Sequence, residues 1–261
     1  MKKFQLLAIG LALFMFSRSQ DRNLYEKQLF IQGDDTLPCR ILTPENYNPK
    51  KKYPVVVFLH GAGERGNDNE LQLKWGGDLF LDSVNRARFP AIVIFPQCPA
   101  NETWARMTRG SAVNDSLGGF RVIDTVPTTA MRLMLNFLDT LLHNGTVDKH
   151  RIYIGGLSLG GFGTFDALQR RPDLFAAAFP ICGGGNPAFV KRYHKKLPIW
   201  VFHGAVDKTV PVSNSRIMVG ALKAAKANVR YTEYPGVDHD SWIKAFAEPD
   251  LLPWLFRQKM K

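Results

Sequence analysis

A short turn between an apolar run and a helix-like run constrains this chain most. Gly156-Leu157-Ser158-Leu159-Gly160 follows the apolar residues 151–157 and precedes a helical pattern over 161–171. A strand that passes into a helix over so few residues forces the central serine to a strained backbone angle and pushes its hydroxyl into the open. The residues two before and two after then crowd together, and glycine leaves room there. Ser158 is thereby a candidate nucleophile. In a chain with 22 glycines among 261 residues such a motif is weak by itself, and a flexible glycine-rich loop with an idle serine is the plain alternative. The surrounding segments must carry the reading.

Those segments alternate strand and helix. Residues 55–59 and 91–95 are continuous apolar runs rich in β-branched residues, the pattern of strands buried on both faces. Residues 29–32 and 39–42 read as two short strands around Gly33-Asp34-Asp35. A helix is expected from Thr128 as N-cap, with Met131, Leu135, Leu138 and Leu142 on one face and Gly145 as its stop. Strands are expected at 176–181, 199–202 and 229–234. Ser213 is expected to cap a helix running to about Ala227, and a terminal helix to begin near Ser241 or Trp242. Residues 101–126 read as irregular. The fold class is α/β, with a mostly parallel sheet covered by helices on both faces.

The first residues differ in kind. Lys2 and Lys3 precede an apolar stretch over 4–16, too short to span a membrane comfortably, and Ser17-Arg18-Ser19 places small residues where a signal peptidase reads. Residues 1–19 are expected to be a cleaved signal peptide, with a retained anchor as the alternative. Residues 20–261 then form one catalytic domain, secreted or periplasmic, with no stable membrane span after cleavage. No cysteine follows the apolar stretch, which argues against a lipoprotein anchor.

Losing Lys2, Lys3 and Arg18 lowers the formal charge from +11 to +8. The remaining excess lies in Lys50-Lys51-Lys52, Arg86 with Arg88, Arg170-Arg171, Lys191-Arg192 and Lys195-Lys196. No nucleic-acid-binding module accompanies these clusters. They read as solvated faces or as attraction to an acidic polymer, such as a uronic-acid polysaccharide. The spacings of Cys39, Cys98 and Cys182 match no zinc pattern, and no metal site is expected. Cys39 and Cys98 belong to neighbouring antiparallel strands in the expected sheet, so a disulfide between them is weighed against buried free thiols.

A serine hydroxyl needs a general base, and the base needs an orienting carboxylate. Both stand in the expected order, each in a loop after a strand. Asp207 follows the strand at 199–202, and His239 follows the strand at 229–234. Asp238 and Asp240 flank the histidine, but a sequence neighbour seldom reaches the far ring nitrogen, so Asp207 is taken as the acid. The developing oxyanion needs donors. The Leu159 amide opens the elbow helix, and the loop His60-Gly61-Ala62-Gly63 supplies a second amide, Ala62 before Gly61.

At this point the chain resembles a secreted α/β-hydrolase, in particular the esterase and "predicted peptidase" group related to dienelactone hydrolases, feruloyl esterases and polyhydroxybutyrate depolymerases. The matching pieces are His60-Gly61-Ala62-Gly63-Glu64-Arg65-Gly66, Pro96-Gln97-Cys98-Pro99, the elbow at Ser158, the Asp207 loop and residues 236–242. They span nearly all of residues 20–261. The resemblance implies an eight-stranded, mostly parallel sheet and a cofactor-free Ser-Asp-His mechanism. Dienelactone hydrolases proper use a cysteine nucleophile where this chain has serine, so their chemistry does not transfer.

Trp75, Gln97 and Trp104 fall in loops at the carboxyl edge of the sheet, where aromatic rings are expected to stack on a sugar or phenolic ring. The leading expectation is a secreted serine carboxylic-ester hydrolase acting on a small-molecule or polysaccharide ester, with acyl or feruloyl groups as candidates. A serine peptidase of the prolyl-oligopeptidase type is the second reading. A catalytically silent binding protein on the same fold is the third. No nucleic-acid partner is expected.

Overall fold

The computed structural model describes residues 21–109, 120–123, 126–193 and 197–260. The expected leader, residues 1–19, and Lys195 and Lys196 lie outside them. The elements run β1 (Glu26–Gln32), β2 (Asp35–Leu42), β3 (Tyr53–Leu59), α1 (Gly77–Leu81), α2 (Ser83–Arg88), β4 (Ile92–Pro96), β5 (Met107–Arg109), β6 (Phe120–Val122) and α3 (Thr129–Leu142). They continue β7 (Val147–Leu157), α4 (Leu159–Arg170), β8 (Ala177–Ile181), α5 (Val190–Tyr193), β9 (Ile199–Gly204), α6 (Ser213–Ala224), β10 (Val229–Tyr234), α7 (Trp242–Phe246) and α8 (Leu251–Phe256).

Eight strands form one sheet in the order β1-β2-β4-β3-β7-β8-β9-β10. β2 runs against both of its neighbours, and the other adjacent pairs are parallel. This is the mostly parallel α/β-hydrolase sheet that the residue pattern and the resemblance imply. β3, β8 and β9 are buried at every position. Strands covered on both faces need apolar residues throughout, which is why they read as unbroken runs.

Side chains alternate across the sheet and feed two cores. Val55, Val57, Leu59 and Ile154 pack with Phe137 of α3, Leu168 of α4 and Met218 of α6. Val56, Phe58, Tyr153 and Phe179 pack on the other face with Phe80 of α1, Ala245 of α7 and Leu251 of α8. The Thr128 hydroxyl accepts the Met131 amide at 3.2 Å, so α3 has the expected cap.

Three local expectations are corrected. Residues 107–109 and 120–122, read as irregular, pair as a small antiparallel ribbon, β5–β6. Three-residue strands are too short to show a period. Ser213 is the first residue of α6 rather than its cap, and the preceding Val212 offers no side-chain acceptor. The terminal helix is two helices, α7 and α8. Pro249 lies between them and disfavours helical backbone at Glu248. Among the described residues, no helix is long and apolar enough to cross a membrane.

Candidate active site

Ser158 sits between β7 and α4 with φ 52° and ψ −115°, a left-handed conformation strained for a residue with a side chain. Such strain costs on the order of 1–3 kcal/mol and persists only where the surroundings enforce it. Here the Ser158 amide donates to the Ile181 carbonyl of β8 at 2.9 Å, and the Ser158 carbonyl accepts the Phe162 amide at 3.1 Å. The glycines make the turn possible. A Cβ on Gly156 would strike the Gly160 carbonyl, and one on Gly160 would strike the Leu59 carbonyl at the end of β3.

The three loops converge at the carboxyl edge of the sheet. His239 Nε2 lies 2.9 Å from Ser158 Oγ, and His239 Nδ1 lies 2.8 Å from Asp207 Oδ2. The Asp207 carboxylate is fully buried. Its Oδ1 accepts the Thr209 and Val210 amides at 2.9 and 2.8 Å, and its Oδ2 also lies 3.2 Å from His203 Nε2. Burial works to raise this carboxyl's pKa, but hydrogen bonds from His203, His239 and Val210 outweigh it and hold the group well below the usual carboxylate range. Asp207 is therefore ionised at neutral pH.

Asp238 does different work. Its Oδ1 accepts the Lys208 amide at 2.9 Å and the His239 amide at 2.8 Å, which ties the acid loop to the histidine loop. Asp207, and not Asp238, reaches the ring. Trp242 packs edge-on against the imidazole at 5.4 Å between centroids, and Trp75 packs on Trp242 at 5.5 Å.

Leu159 and Ala62 are the first residues of α4 and of a short 3-10 turn, Ala62–Glu64. An amide at the first helical position has no partner within its own helix, so both N–H groups are available as donors. The Ala62 loop lies against the elbow, since a Cβ on Gly61 would come 3.7 Å from Ser158 Cβ. Buried Glu64 faces the Gly61 amide and the Trp75 indole, and burial raises its pKa.

Two residues expected to line a substrate cleft do not face one. Trp104 and Gln97 are both 0% exposed. The Trp104 indole donates to the His60 carbonyl at 3.1 Å, and Gln97 Nε2 donates to the Glu64 carbonyl at 3.2 Å. They brace the Ala62 loop from behind. Trp75 remains half-buried and packs on Trp242, which in turn packs on His239.

His60 belongs to the same brace. Its Nε2 accepts the Cys98 amide at 2.9 Å, so its proton sits on Nδ1 and is donated to the Gly61 carbonyl at 2.7 Å. Burial lowers its pKa to about 4, leaving the ring neutral.

His203 is a further contact of Asp207 that no motif marks. It is fully buried, with Nδ1 2.6 Å from the Ser215 hydroxyl and Nε2 3.0 Å from the Val210 carbonyl. It stands four residues before Asp207, at the end of β9, a spacing that by itself does not bring the two side chains together. Cys182 completes a cluster with Asp207 and His239 whose donor atoms lie within 4.8 Å of one another. Such atoms are capable of metal ligation. Here Nδ1 and Oδ2 engage each other, and burial pushes the Cys182 thiol well up, away from the thiolate that ligates a metal.

Fold and site together define an α/β-hydrolase, an enzyme with a serine-centred relay at the carboxyl edge of its sheet. The chain belongs to the phospholipase/carboxylesterase family, whose model matches residues 46–248. It is similar to a thermostable esterase of known crystal structure, with 38% identity and a TM-score of 0.80, covering 92% of this chain and 64% of that one. It is 24% identical over 183 residues to the bifunctional acetylxylan esterase/xylanase XynS20E of Neocallimastix patriciarum, covering 70% of this chain and 23% of that protein. It is also 24% identical over 204 residues to acyl-protein thioesterase 1 of Neurospora crassa, covering 73% of this chain and 81% of that protein. The chain thus spans about a quarter of the xylan-acting relative and under two thirds of the crystallised esterase.

Proposed function

We propose that the protein is an exported serine carboxylic-ester hydrolase, with residues 1–19 as a leader and 20–261 as the catalytic domain. The observation that carries this reading is the unbroken relay from Ser158 through His239 to Asp207, at 2.9 and 2.8 Å, on a strained elbow. Ser158 Oγ attacks the ester carbonyl carbon and gives its proton to His239 Nε2. Asp207 holds the Nδ1 proton and stabilises the imidazolium. The Leu159 and Ala62 amides hold the oxyanion. The intermediate collapses, His239 protonates the departing alcohol, and an acyl-Ser158 ester remains. Water then attacks with His239 as base, the acid departs and Ser158 regains its proton.

The preferred substrates are acyl or feruloyl esters carried on polysaccharide. The acetylxylan-esterase relative supports the polymer, and half-buried Trp75, packed on the Trp242 that flanks His239, supports an apolar acyl or aromatic contact. A panel of a short-chain nitrophenyl ester, methyl ferulate, acetylated xylan and aminoacyl nitroanilides tests the reading. Turnover of the esters is expected. Turnover of the anilides alone would assign a peptidase, and turnover of none by folded protein would assign a silent binding protein.

A further inference from the structure

A groove of about 690 Å³ crosses the edge of the sheet opposite Ser158. It lies where the chain enters β3 at Tyr53 and β4 at Phe89-Pro90, and it is closed by Pro253 and Phe256 of α8 and by Arg257 just after it. The seven residues of β3 separate it from the Ala62 loop, a span of about 20 Å. It is therefore distinct from the candidate active site.

Six cations line the groove, Lys51, Lys52, Arg86, Arg88, Arg151 and Arg257, against the single carboxylate of Glu45. Arg151 is paired with Asp148 at 2.7 Å. Arg86 gives one N–H to the Thr43 carbonyl at 3.1 Å, while its buried Nε has no acceptor. Gathering like charges opposes folding, and Lys51, Lys52, Arg88 and Arg257 are exposed rather than packed in the core. Four prolines, Pro44, Pro54, Pro90 and Pro253, fix backbone angles along the walls, so the groove is shaped in advance of any ligand.

We propose that this groove is a second binding site, for a carboxylated polysaccharide chain. The cations come from four separated stretches of chain along a groove of about 690 Å³, more space than one small anion fills, which suits charges repeated along a polymer. Guanidinium groups match carboxylates in bidentate geometry. The Phe89 ring is occupied, with Phe256 at 5.1 Å and the Arg88 guanidinium at 5.3 Å, so it offers no free platform for stacking nucleobases. The choice of a uronate polymer among polyanions rests on the polysaccharide-esterase reading; the existence of an anion groove does not. Anchoring there holds the enzyme on acidic polymer and raises the local concentration of esters near Ser158.

Binding is measured by affinity electrophoresis in gels containing polygalacturonate, neutral arabinoxylan or single-stranded DNA. The full chain carries Ser158→Ala, so turnover plays no part in the readout and failure of the esterase reading leaves it intact. Retardation by polygalacturonate and not by arabinoxylan is expected, and it weakens in high salt. Adding Lys51→Glu, Lys52→Glu and Arg257→Glu is expected to cut affinity at least tenfold without lowering the melting temperature. Lys191→Glu, Lys223→Glu and Lys244→Glu change net charge equally on other surfaces and are expected to retain most of the binding. Equal loss in both triple variants, equal binding of the neutral polymer, or tighter binding of DNA would overturn the proposal.

Discussion

At the scale of single residues, Asp207 is a buried carboxylate kept ionised by its neighbours. It receives two backbone amides and faces two imidazoles. His203 touches no reacting atom in the proposed chemistry, so it is a positioning residue. It competes with burial to keep Asp207 charged and aimed at His239 Nδ1. A hydrogen bond to a charged group contributes about 1.5–3 kcal/mol, which corresponds to roughly 10- to 100-fold in rate where it acts on the transition state. His203→Phe is therefore expected to lower kcat by that order with KM little changed. A shifted KM at constant kcat would assign His203 to substrate binding. Ser158, Asp207 and His239 were legible as candidates because each occupies a loop after an expected strand, in a fixed order. His203 was not, because its bond to Asp207 folds back through the turn after Gly204, and residue spacing alone does not show that turn.

At the scale of elements, the strands were legible because burial on both faces leaves an unbroken apolar run, as in β3 and β9. Loop residues carry no such period. Trp104 and Gln97 stand at the expected edge of the sheet, yet they turn inward and clamp the loop that bears Ala62. His60 is part of that clamp, and its titration exposes the clamp's dependence on pH. Folded, its pKa is lowered by burial from 6.5 to about 4; unfolding restores the ordinary value. Between those values the unfolded chain takes up a proton that the folded chain refuses. The stability linked to His60 is thus complete above pH 6.5 and is lost as pH falls through 4, by about 3 kcal/mol in all. Urea unfolding at stepped pH is expected to show stability falling from pH 6.5 downward, with the native His60 NMR signal not titrating until near 4. A native His60 titrating near 6.5 would contradict the buried assignment.

At the scale of the whole molecule, the sheet separates two chemistries. The serine relay occupies its carboxyl edge, and the cationic groove occupies the opposite edge. The composition showed the excess of positive charge, but only the strand order gathers residues 51, 86, 151 and 257 on one side. The thiols are likewise a matter of packing. Cys39 pairs with Pro96 across β2 and β4, two residues short of Cys98, and both thiols are free and buried. Burial raises each pKa to about 12 and that of Cys182 higher still, so the reactive thiolate is scarce. A thiol reagent is expected to find no reactive cysteine in native protein and three after unfolding; one after unfolding would reveal a disulfide.

The central claim, that the elbow serine carries the chemistry, is tested most directly by fluorophosphonate labelling of wild type and Ser158→Ala, with turnover of a short-chain nitrophenyl ester measured in parallel. Wild type is expected to take up one label per chain. Ser158→Ala is expected to take up none and to lose at least about 10⁴-fold in kcat. Labelling or turnover that survives in Ser158→Ala would place the nucleophile elsewhere.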